Sequence, residues 1–166
     1  MRQSHWSLRP VEEARLLNPA FLAVLIWACA RGYSGKDGAG VPLPLLFVAL
    51  PLVLHKATRQ DLPSTVRAQL PGWLADHPEV HLRFAARAQA LVPLVKEGIL
   101  FGTSGELLAL SAHRVLAGAR PRTMAGFLED ATDEVADCIK KAELVGRWFA
   151  RSGDYSTVMA LWGIAP

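Results

Sequence analysis

PLPLLFVALPLVLHKATRQDLP, residues 42–63, carries a run of thirteen mostly apolar positions, 42–54, directly before His55, Lys56 and Arg59. A membrane-spanning helix needs about 20 apolar residues. The run is shorter than that and is interrupted by prolines, so it does not predict a membrane anchor. The stretch is instead typical of a helix that is buried on nearly all sides and turns basic at one end.

This buried helix is predicted over 44–58. Pro44 suits its first turn, where a missing N–H costs nothing, and Pro51 is expected to kink the helix. The three basic side chains then fall at its C-terminal end, where positive charge interacts favourably with the helix dipole. Two interpretations of these charges stay open: compensation of the dipole, or a site for a ligand or a partner.

The composition is apolar for a chain of this size. The chain has 166 residues, of which 51% are hydrophobic and 20% are charged, and its formal net charge is +3. This length predicts a single domain over 1–166. Either that domain is very compact, or a partner covers part of its apolar surface, and the even spread of apolar residues favours a partner. So small a net charge does not indicate a nucleic-acid-binding tail.

The two cysteines, Cys29 and Cys138, lie in different apolar helical patterns. Neither has Cys or His neighbours at the spacing of a metal site, so no metal is expected. Both are interpreted as buried free thiols, which fits a reducing cytoplasm. Residues 1–10 carry no apolar run before a cleavage site, so no signal peptide is expected there.

Helix signals cover most of the chain. Asn18 as N-cap and Pro19 at the first position begin a helix that Gly32 ends, within a helical stretch over 11–32. Further helices are predicted over 64–75, 80–100 and 124–151, followed by a short one that Asp154 caps. Residues 101–118 carry two apolar patches after a glycine turn, which is typical of a short β-hairpin or a single strand. The predicted fold class is therefore mainly α with a small β-hairpin (α+β).

The order of these elements resembles a winged helix-turn-helix. Residues 42–118 would form the winged-helix-like core, with flanking helices over 11–32 and 124–164. In such a unit the third helix would carry Arg83 and Arg87, which share one face because they are four residues apart, and the hairpin would be the wing. Winged helices bind proteins as well as DNA, so the outline alone does not choose a partner.

The sequence gives no sign of an enzyme. It contains no GxSxG, HExxH or CxxC motif, and no nucleophile stands beside a histidine. His77 and His81 are four apart, but a proline turn follows His77 and places it outside the helix, which argues against a metal pair. The acidic residues in the first half of 124–151 are interpreted as a solvated face. We therefore expect no catalysis and no cofactor.

Five segments together resemble one known family. They are RPVEEARLLNPAF at 9–21, the opening stretch at 42–63, WLADHPE at 73–79, LFGTSG at 100–105 and KKAELVGRWFARSGDYSTVMALWGIAP at 140–166. In this order they look like the middle component of bacterial three-component ABC systems, in which Lamassu-like defence systems are included. The NPAF segment, the LPLVLHK–TR–LP segment and the GRWFA–GIAP ending are the most specific pieces.

The resemblance implies a function. In that family the middle protein is encoded between an ABC/SMC-like ATPase and an effector, often a nuclease. The chain would then be a non-catalytic, cytoplasmic adaptor without cofactor or membrane contact. It would couple DNA sensing by the ATPase to the effector in defence against phages and plasmids, and any DNA contact would come through the complex. The effector, the stoichiometry and the trigger are left open.

Two groups of residues are the candidate sites. A basic face for nucleic acid or a partner would comprise His55, Lys56, Arg59, Arg83 and Arg87. The resemblance at LHK–TR gives weight to the first three of these, without choosing between DNA, a partner and the fold.

The second group consists of candidate partner anchors: Trp148, Phe149, Trp162 and Ile164. Exposed aromatic side chains dominate interface hot spots, but the same residues could simply seal the core between the last two helices. The alternative function is an independent winged-helix transcriptional regulator. Its DNA-binding face would combine the basic residues with the loop at 120–122.

Overall fold

The computed structural model describes residues 17–35, 38–119 and 122–164. These are mainly helical, at 69%, with a small three-stranded antiparallel sheet, so the α+β fold class is confirmed. The helices are α1 (Pro19–Ser34), α2 (Leu43–Leu54), α3 (Lys56–Asp61), α4 (Leu70–Asp76), α5 (Pro78–Leu82), α6 (Phe84–Ser104), α7 (Arg122–Glu129), α8 (Asp133–Ala150) and α9 (Tyr155–Leu161). The strands are β1 (Val41–Pro42), β2 (Leu108–Ser111) and β3 (Arg114–Ala117).

Helix α1 begins as the sequence predicts and ends later. The Asn18 side chain accepts a hydrogen bond from the Ala20 N–H at 2.9 Å, and Pro19 occupies the first helical position. The helix then continues through Gly32 to Ser34, and Gly35, with φ of 52°, follows its last residue. The prediction that Gly32 ends the helix was therefore wrong. The part of that prediction on residues 11–16 lies outside the described residues.

Gly32 is instead a packing residue at the crossing of α1 and α8. A Cβ on Gly32 would collide with the carbonyl oxygen of Glu143, and a Cβ on Gly146 would collide with the carbonyl oxygen of Cys29. Both collisions involve backbone atoms, which cannot rotate away as a side chain can. Two glycines, one from each helix, therefore allow the backbones to approach closely, and α8 is the element that α1 contacts most.

The opening stretch forms two helices and a strand. The predicted helix over 44–58 is broken at His55, whose backbone is extended (φ −83°, ψ 109°). Pro51 lies inside α2 and does not end it. The break falls at His55 because this residue is the N-cap of α3: its side chain accepts a hydrogen bond from the Thr58 N–H, and an N-cap residue has non-helical dihedral angles.

The hairpin was predicted, and the strand that completes the sheet was not. β2 and β3 are antiparallel, with Leu108 opposite Ala117, and a two-residue turn joins them. β1 pairs with β3 on its other side, with Val41 opposite Val115. The sheet order is thus β1-β3-β2. Two residues before a proline-rich helix are too short a segment to give a strand signal in the sequence.

The helices between 64 and 104 differ in their boundaries from the prediction. Pro71 was expected to interrupt a helix over 64–75, but it lies in the first turn of α4, where its missing N–H costs nothing. The predicted helix over 80–100 is divided at Arg83 into α5 and α6. Its apolar stripe was correct. Phe84, Ala88, Val95 and Ile99 are buried, and Leu91 and Val92 are half-buried.

The predicted helix over 124–151 is also two helices. Thr132 accepts a hydrogen bond from the Val135 N–H at 3.4 Å and caps α8, which separates it from α7. A threonine N-cap followed by acidic residues in the first helical turn was the missed signal. Asp154 caps α9 as predicted, accepting from the Thr157 N–H at 2.8 Å.

The core is one cluster of buried side chains drawn from α1, α2, α4 to α9 and the sheet. Aromatic rings form a large part of it. The ring centroids of Trp73 and Trp148 lie 5.4 Å apart, and those of Phe84 and Trp162 lie 4.3 Å apart. Two of the buried indole N–H groups donate to carbonyl oxygens: Trp148 to Ala68 at 2.7 Å and Trp73 to Asp61 at 3.1 Å. The Nε1 atom of Trp162 is buried as well and has no hydrogen-bond partner among the described residues. Both cysteines are buried and free, as predicted.

No helix among the described residues is long and apolar enough to cross a membrane. The apolar helix of the opening stretch, α2, has 12 residues, fewer than the about 20 that a membrane-spanning helix needs.

Candidate functional site

Arg59 does not belong to an exposed basic face. Only 3% of the residue is accessible, and its guanidinium makes three hydrogen bonds. Nε donates to Asp137 Oδ2 at 2.8 Å, Nη2 donates to Glu134 Oε1 at 2.9 Å, and Nη1 donates to the Val53 carbonyl oxygen at 2.9 Å. Arg59 therefore joins α3 to the first turns of α8 and satisfies a carbonyl near the end of α2.

The surroundings keep Arg59 charged. Burial by itself lowers the pKa of a guanidinium, but the hydrogen bonds and negative charges of Asp137 and Glu134 outweigh it, so the pKa of Arg59 is raised. This network also corrects the interpretation of the acidic half of the 124–151 segment as a solvated face. Glu134 and Asp137 are half-exposed, yet both bind a buried cation that lies 75 or more residues earlier in the chain.

Lys56 contributes little to a free basic surface. It is exposed, and its Nζ lies 3.9 Å from Glu134 Oε1, the same carboxylate that binds Arg59. The expected basic face of five residues is thus divided. Arg59 is buried and Lys56 lies beside a carboxylate. The remaining three residues, His55, Arg83 and Arg87, lie together along one groove.

His55, Arg83 and Arg87 line a groove between α3 and α6, which we call the α3–α6 groove. Its volume is about 560 Å³. The lining residues are His55, Ala57, Thr58, Asp61, Glu79, Val80, Arg83, Ala86 and Arg87. The break at His55 and the break at Arg83 both open onto this groove, so two departures from regular helix shape one concave surface.

A hydrogen-bond chain crosses the floor of the groove. His55 Nδ1 lies 2.8 Å from Thr58 Oγ1 and accepts from the Thr58 N–H at 3.3 Å, and Arg87 Nη1 donates to Thr58 Oγ1 at 3.4 Å. Because Nδ1 is an acceptor, the neutral imidazole carries its proton on Nε2. Burial, and then the charge of Arg87, lowers the pKa of His55, which favours this neutral form.

Arg87 is half-buried and forms no ion pair with another described residue. Besides Thr58, it donates to the Val80 carbonyl oxygen at 3.4 Å. Its Nε atom is buried and makes no hydrogen bond. Within 17–35, 38–119 and 122–164, no carboxylate forms an ion pair with Arg83 or Arg87. Burial lowers the pKa of Arg87, and no neighbouring charge offsets that effect.

Two acidic residues, Asp61 and Glu79, line the same groove. In the described part of the chain neither of them forms an ion pair. The groove therefore presents two cations and two anions that do not neutralise one another. Apolar side chains such as Val80 and Ala86 line the same groove. Such a surface can bind a charged group of either sign through charge-assisted hydrogen bonds.

The groove does not have the donor set of a metal centre. The described residues contain no group of three or more His, Cys, Asp or Glu side chains that could hold a metal ion. His77 lies between α4 and α5, as predicted, and its ring stacks on Trp73 at 4.4 Å between centroids. His77 Nδ1 also lies 2.8 Å from the Trp73 carbonyl oxygen, so packing accounts for this residue.

The expected partner anchors lie in the core. Trp148 and Trp162 are 1% exposed and Phe149 is fully buried. These three side chains fill the space between the last two helices and the rest of the fold, so they cannot anchor a partner on the surface. Ile164 is half-buried against the core.

The exposed large apolar side chains are found elsewhere. The most exposed are Leu82 at 84%, Leu100 at 65%, Leu110 at 54% and Phe101 at 53%. Periodicity missed them because Leu100 and Phe101 continue an apolar helix and Leu110 continues an apolar strand.

The fold is a small, mainly helical α+β protein with a three-stranded antiparallel sheet, and its groove carries charged residues of both signs. The chain belongs to the ABC-three component (ABC-3C) system Middle Component 3 family, whose pattern it matches over residues 6–166. This match confirms the resemblance to a middle component of a three-component ABC system. No curated protein and no solved structure matches the chain.

Proposed function

We propose that this protein is a non-catalytic adaptor subunit that links an ABC/SMC-like ATPase to an effector, a nuclease being the expected kind, in a bacterial defence complex. The observation that carries the proposal is the family match over nearly the whole chain, residues 6–166. A middle component works with other components, so its surface has to recognise them.

The surface supports a binding role. Leu82, Leu100, Leu110 and Phe101 expose more than half of their area, and large aliphatic and aromatic side chains anchor interfaces when a partner covers them. The α3–α6 groove adds charged side chains that form no ion pair with any described residue. Exposed apolar side chains and unpaired charges are both features by which a surface recognises a partner protein.

Co-expression with the two neighbouring gene products tests the proposal. We expect an affinity-tagged copy of this protein to retain both the ATPase and the effector through size-exclusion chromatography. The isolated protein should hydrolyse neither ATP nor DNA. If all three proteins migrate separately, or if the isolated chain turns over a substrate, the adaptor role is wrong.

A second candidate function is DNA binding by a winged-helix core. The order of elements favours it, since a helix, a short strand, further helices and a hairpin follow one another, and β1 joins the hairpin in the sheet order β1-β3-β2. In this arrangement Arg83 and Arg87 lie at the start of the helix before the hairpin. Burial of Arg59 counts against a broad basic face, and residues 120 and 121 lie outside the described part.

The salt dependence of DNA binding distinguishes a DNA-binding regulator from an adaptor. Binding through phosphate contacts weakens steeply as salt rises. A DNA-binding regulator should shift a double-stranded probe at low salt, and Arg83→Ala/Arg87→Ala should abolish the shift. An adaptor without its partners should give no shift in either form.

A further inference from the structure

We propose that the α3–α6 groove receives an acidic side chain from a partner subunit, and that Arg87 is its principal ligand. This inference rests on the adaptor function proposed above and specifies the chemistry of one contact. The occupant is a segment of a protein that presents an aspartate or glutamate with a basic side chain close to it.

The first argument is the state of Arg87. Charged side chains that leave water are normally paired, and Arg59 in the same protein follows that rule with two carboxylates. Arg87 is half-buried, but its two hydrogen bonds, both at 3.4 Å, go to neutral oxygen atoms. A guanidinium forms its strongest pairs with carboxylates. A partner carboxylate at this position supplies the counter-charge that the described part of the chain does not.

The second argument is the set of donors around Arg87. His55 lines the groove with Nδ1 occupied by Thr58, so its Nε2–H remains as a donor. Arg83 lines the same groove and is exposed, and it forms no ion pair within the described part of the chain. One imidazole N–H and two guanidinium groups thus border a single cavity, which is a donor set suited to one carboxylate.

The two acids determine the kind of partner. Asp61 and Glu79 line the groove as well, and they would repel the successive phosphates of a nucleic-acid backbone. A protein segment can place one carboxylate near Arg87 and a lysine or arginine near Asp61 and Glu79. Leu82, the residue before Arg83, is 84% exposed and offers an apolar contact beside the charges. Charge complementarity therefore favours a peptide over DNA.

The test uses the complex with the two neighbouring gene products. Affinity for each partner is measured for the natural chain, for Arg87→Glu and for Arg83→Glu, with Lys96→Glu as the matched control. Lys96 is an exposed cation on α6 that does not line the groove. We expect Arg87→Glu to weaken one partner by about 30-fold or more, which is the usual minimum for losing one member of a desolvated charge pair. Arg83→Glu should weaken the same partner, and Lys96→Glu should have no effect.

Arg87→Glu removes the hydrogen bonds to Thr58 and Val80, so circular dichroism and the melting temperature are measured for each variant to check the fold. Arg83→Glu changes an exposed residue and keeps the test valid if Arg87→Glu does not fold. A glutamate-to-lysine or aspartate-to-lysine change in the affected partner should restore binding to Arg83→Glu.

The outcomes are distinguishable. If the natural chain binds neither partner, the adaptor function fails and this inference fails with it. If the complex forms but both groove variants bind like the Lys96→Glu control, only the inference is overturned. If the groove variants keep the complex but lose binding to a double-stranded DNA probe, the groove binds phosphate and the acidic-partner assignment is wrong.

Discussion

Removing the two carboxylates around Arg59 is the sharpest test of how this fold is held together. The Arg59 side chain is 4% exposed, whereas those of Glu134 and Asp137 are 53% and 45% exposed. In Glu134→Ala/Asp137→Ala a buried cation loses its counter-charges, which costs about 3–5 kcal/mol. Because the carboxylates form the outer wall of this site, water enters when they are gone. We therefore expect about 3 kcal/mol to be lost from the free energy of unfolding, the low end of that range.

Replacing Arg59 should lower the free energy of unfolding by less than removing its two carboxylates does. In Arg59→Met the two half-exposed carboxylates return to water, and the main loss is the donor to the Val53 carbonyl oxygen. A buried acceptor left without a partner costs about 1–3 kcal/mol. With methionine at 59, removing Glu134 and Asp137 should add little. The double-mutant cycle should thus give a coupling of about 3 kcal/mol between the acidic pair and Arg59.

Urea titration followed by circular dichroism measures these free energies. For a chain of this length, a loss of about 3 kcal/mol should also lower Tm by about 6–12 °C. The control is Glu143→Ala, which removes an exposed carboxylate 3.5 Å from Arg147 on the same helix. It should cost no more than about 0.5 kcal/mol. If Glu134→Ala/Asp137→Ala costs as little as the control, or costs the same with methionine at 59, the reasoning about the buried cation is refuted.

Three further predictions concern other parts of the chain. Gly146→Ala should destabilise the protein by about 1–3 kcal/mol because the new Cβ would meet the backbone of α1. The control is Gly126→Ala, since Gly126 is a helical glycine with open space around it, and this change should be neutral or stabilising by up to about 1 kcal/mol. Equal melting temperatures for the two variants would contradict the close approach of α1 and α8. The pKa of His55 is lower in the folded chain than in the unfolded chain, so the unfolded state binds a proton first and the free energy of unfolding should fall as pH drops below about 6.5. His55→Asn keeps an N-cap for α3, so its unfolding free energy should depend less on pH than that of the natural chain. Parallel pH profiles of the two proteins would show that His55 is not responsible. Burial raises the pKa of Cys29 to about 12 and also raises the pKa of Cys138, so neither thiol should react with a disulfide reagent until denaturant is added. Rapid labelling of the folded protein would mean that the helices around the two cysteines open.

Local patterns along the chain determined most of the secondary structure. The N-caps at Asn18 and Asp154, the apolar stripe that begins at Phe84 and the hairpin after α6 all depend on neighbours within a few residues. Each of these signals operates through hydrogen bonds or spacing inside one element, and each is present in the structure. The family match also depends on sequence alone, and it confirmed the resemblance that the segment at 42–63 helped to establish.

The helix boundaries missed at His55 and Thr132 are set by local caps, but several other failed predictions concern residues whose role is set by a distant part of the chain. Gly32 has the usual sequence signal of a helix end, but it is needed where α1 crosses α8. The same explanation applies to Trp148 and Trp162, since the position of the other helices decides whether an aromatic stripe is covered by its own chain or by a partner.

The charged residues show the same limit most clearly. The sequence does not show which groups of the folded chain contact a basic side chain on a helix. It therefore gives no reason to distinguish among His55, Lys56, Arg59, Arg83 and Arg87. The tertiary structure buries Arg59 between two carboxylates of α8, and it leaves Arg87 half-buried in a groove without an ion pair to any described residue. Coulomb energy and desolvation depend on the distance to other charges and on access to water, and both quantities are fixed only when helices far apart in the chain have packed together.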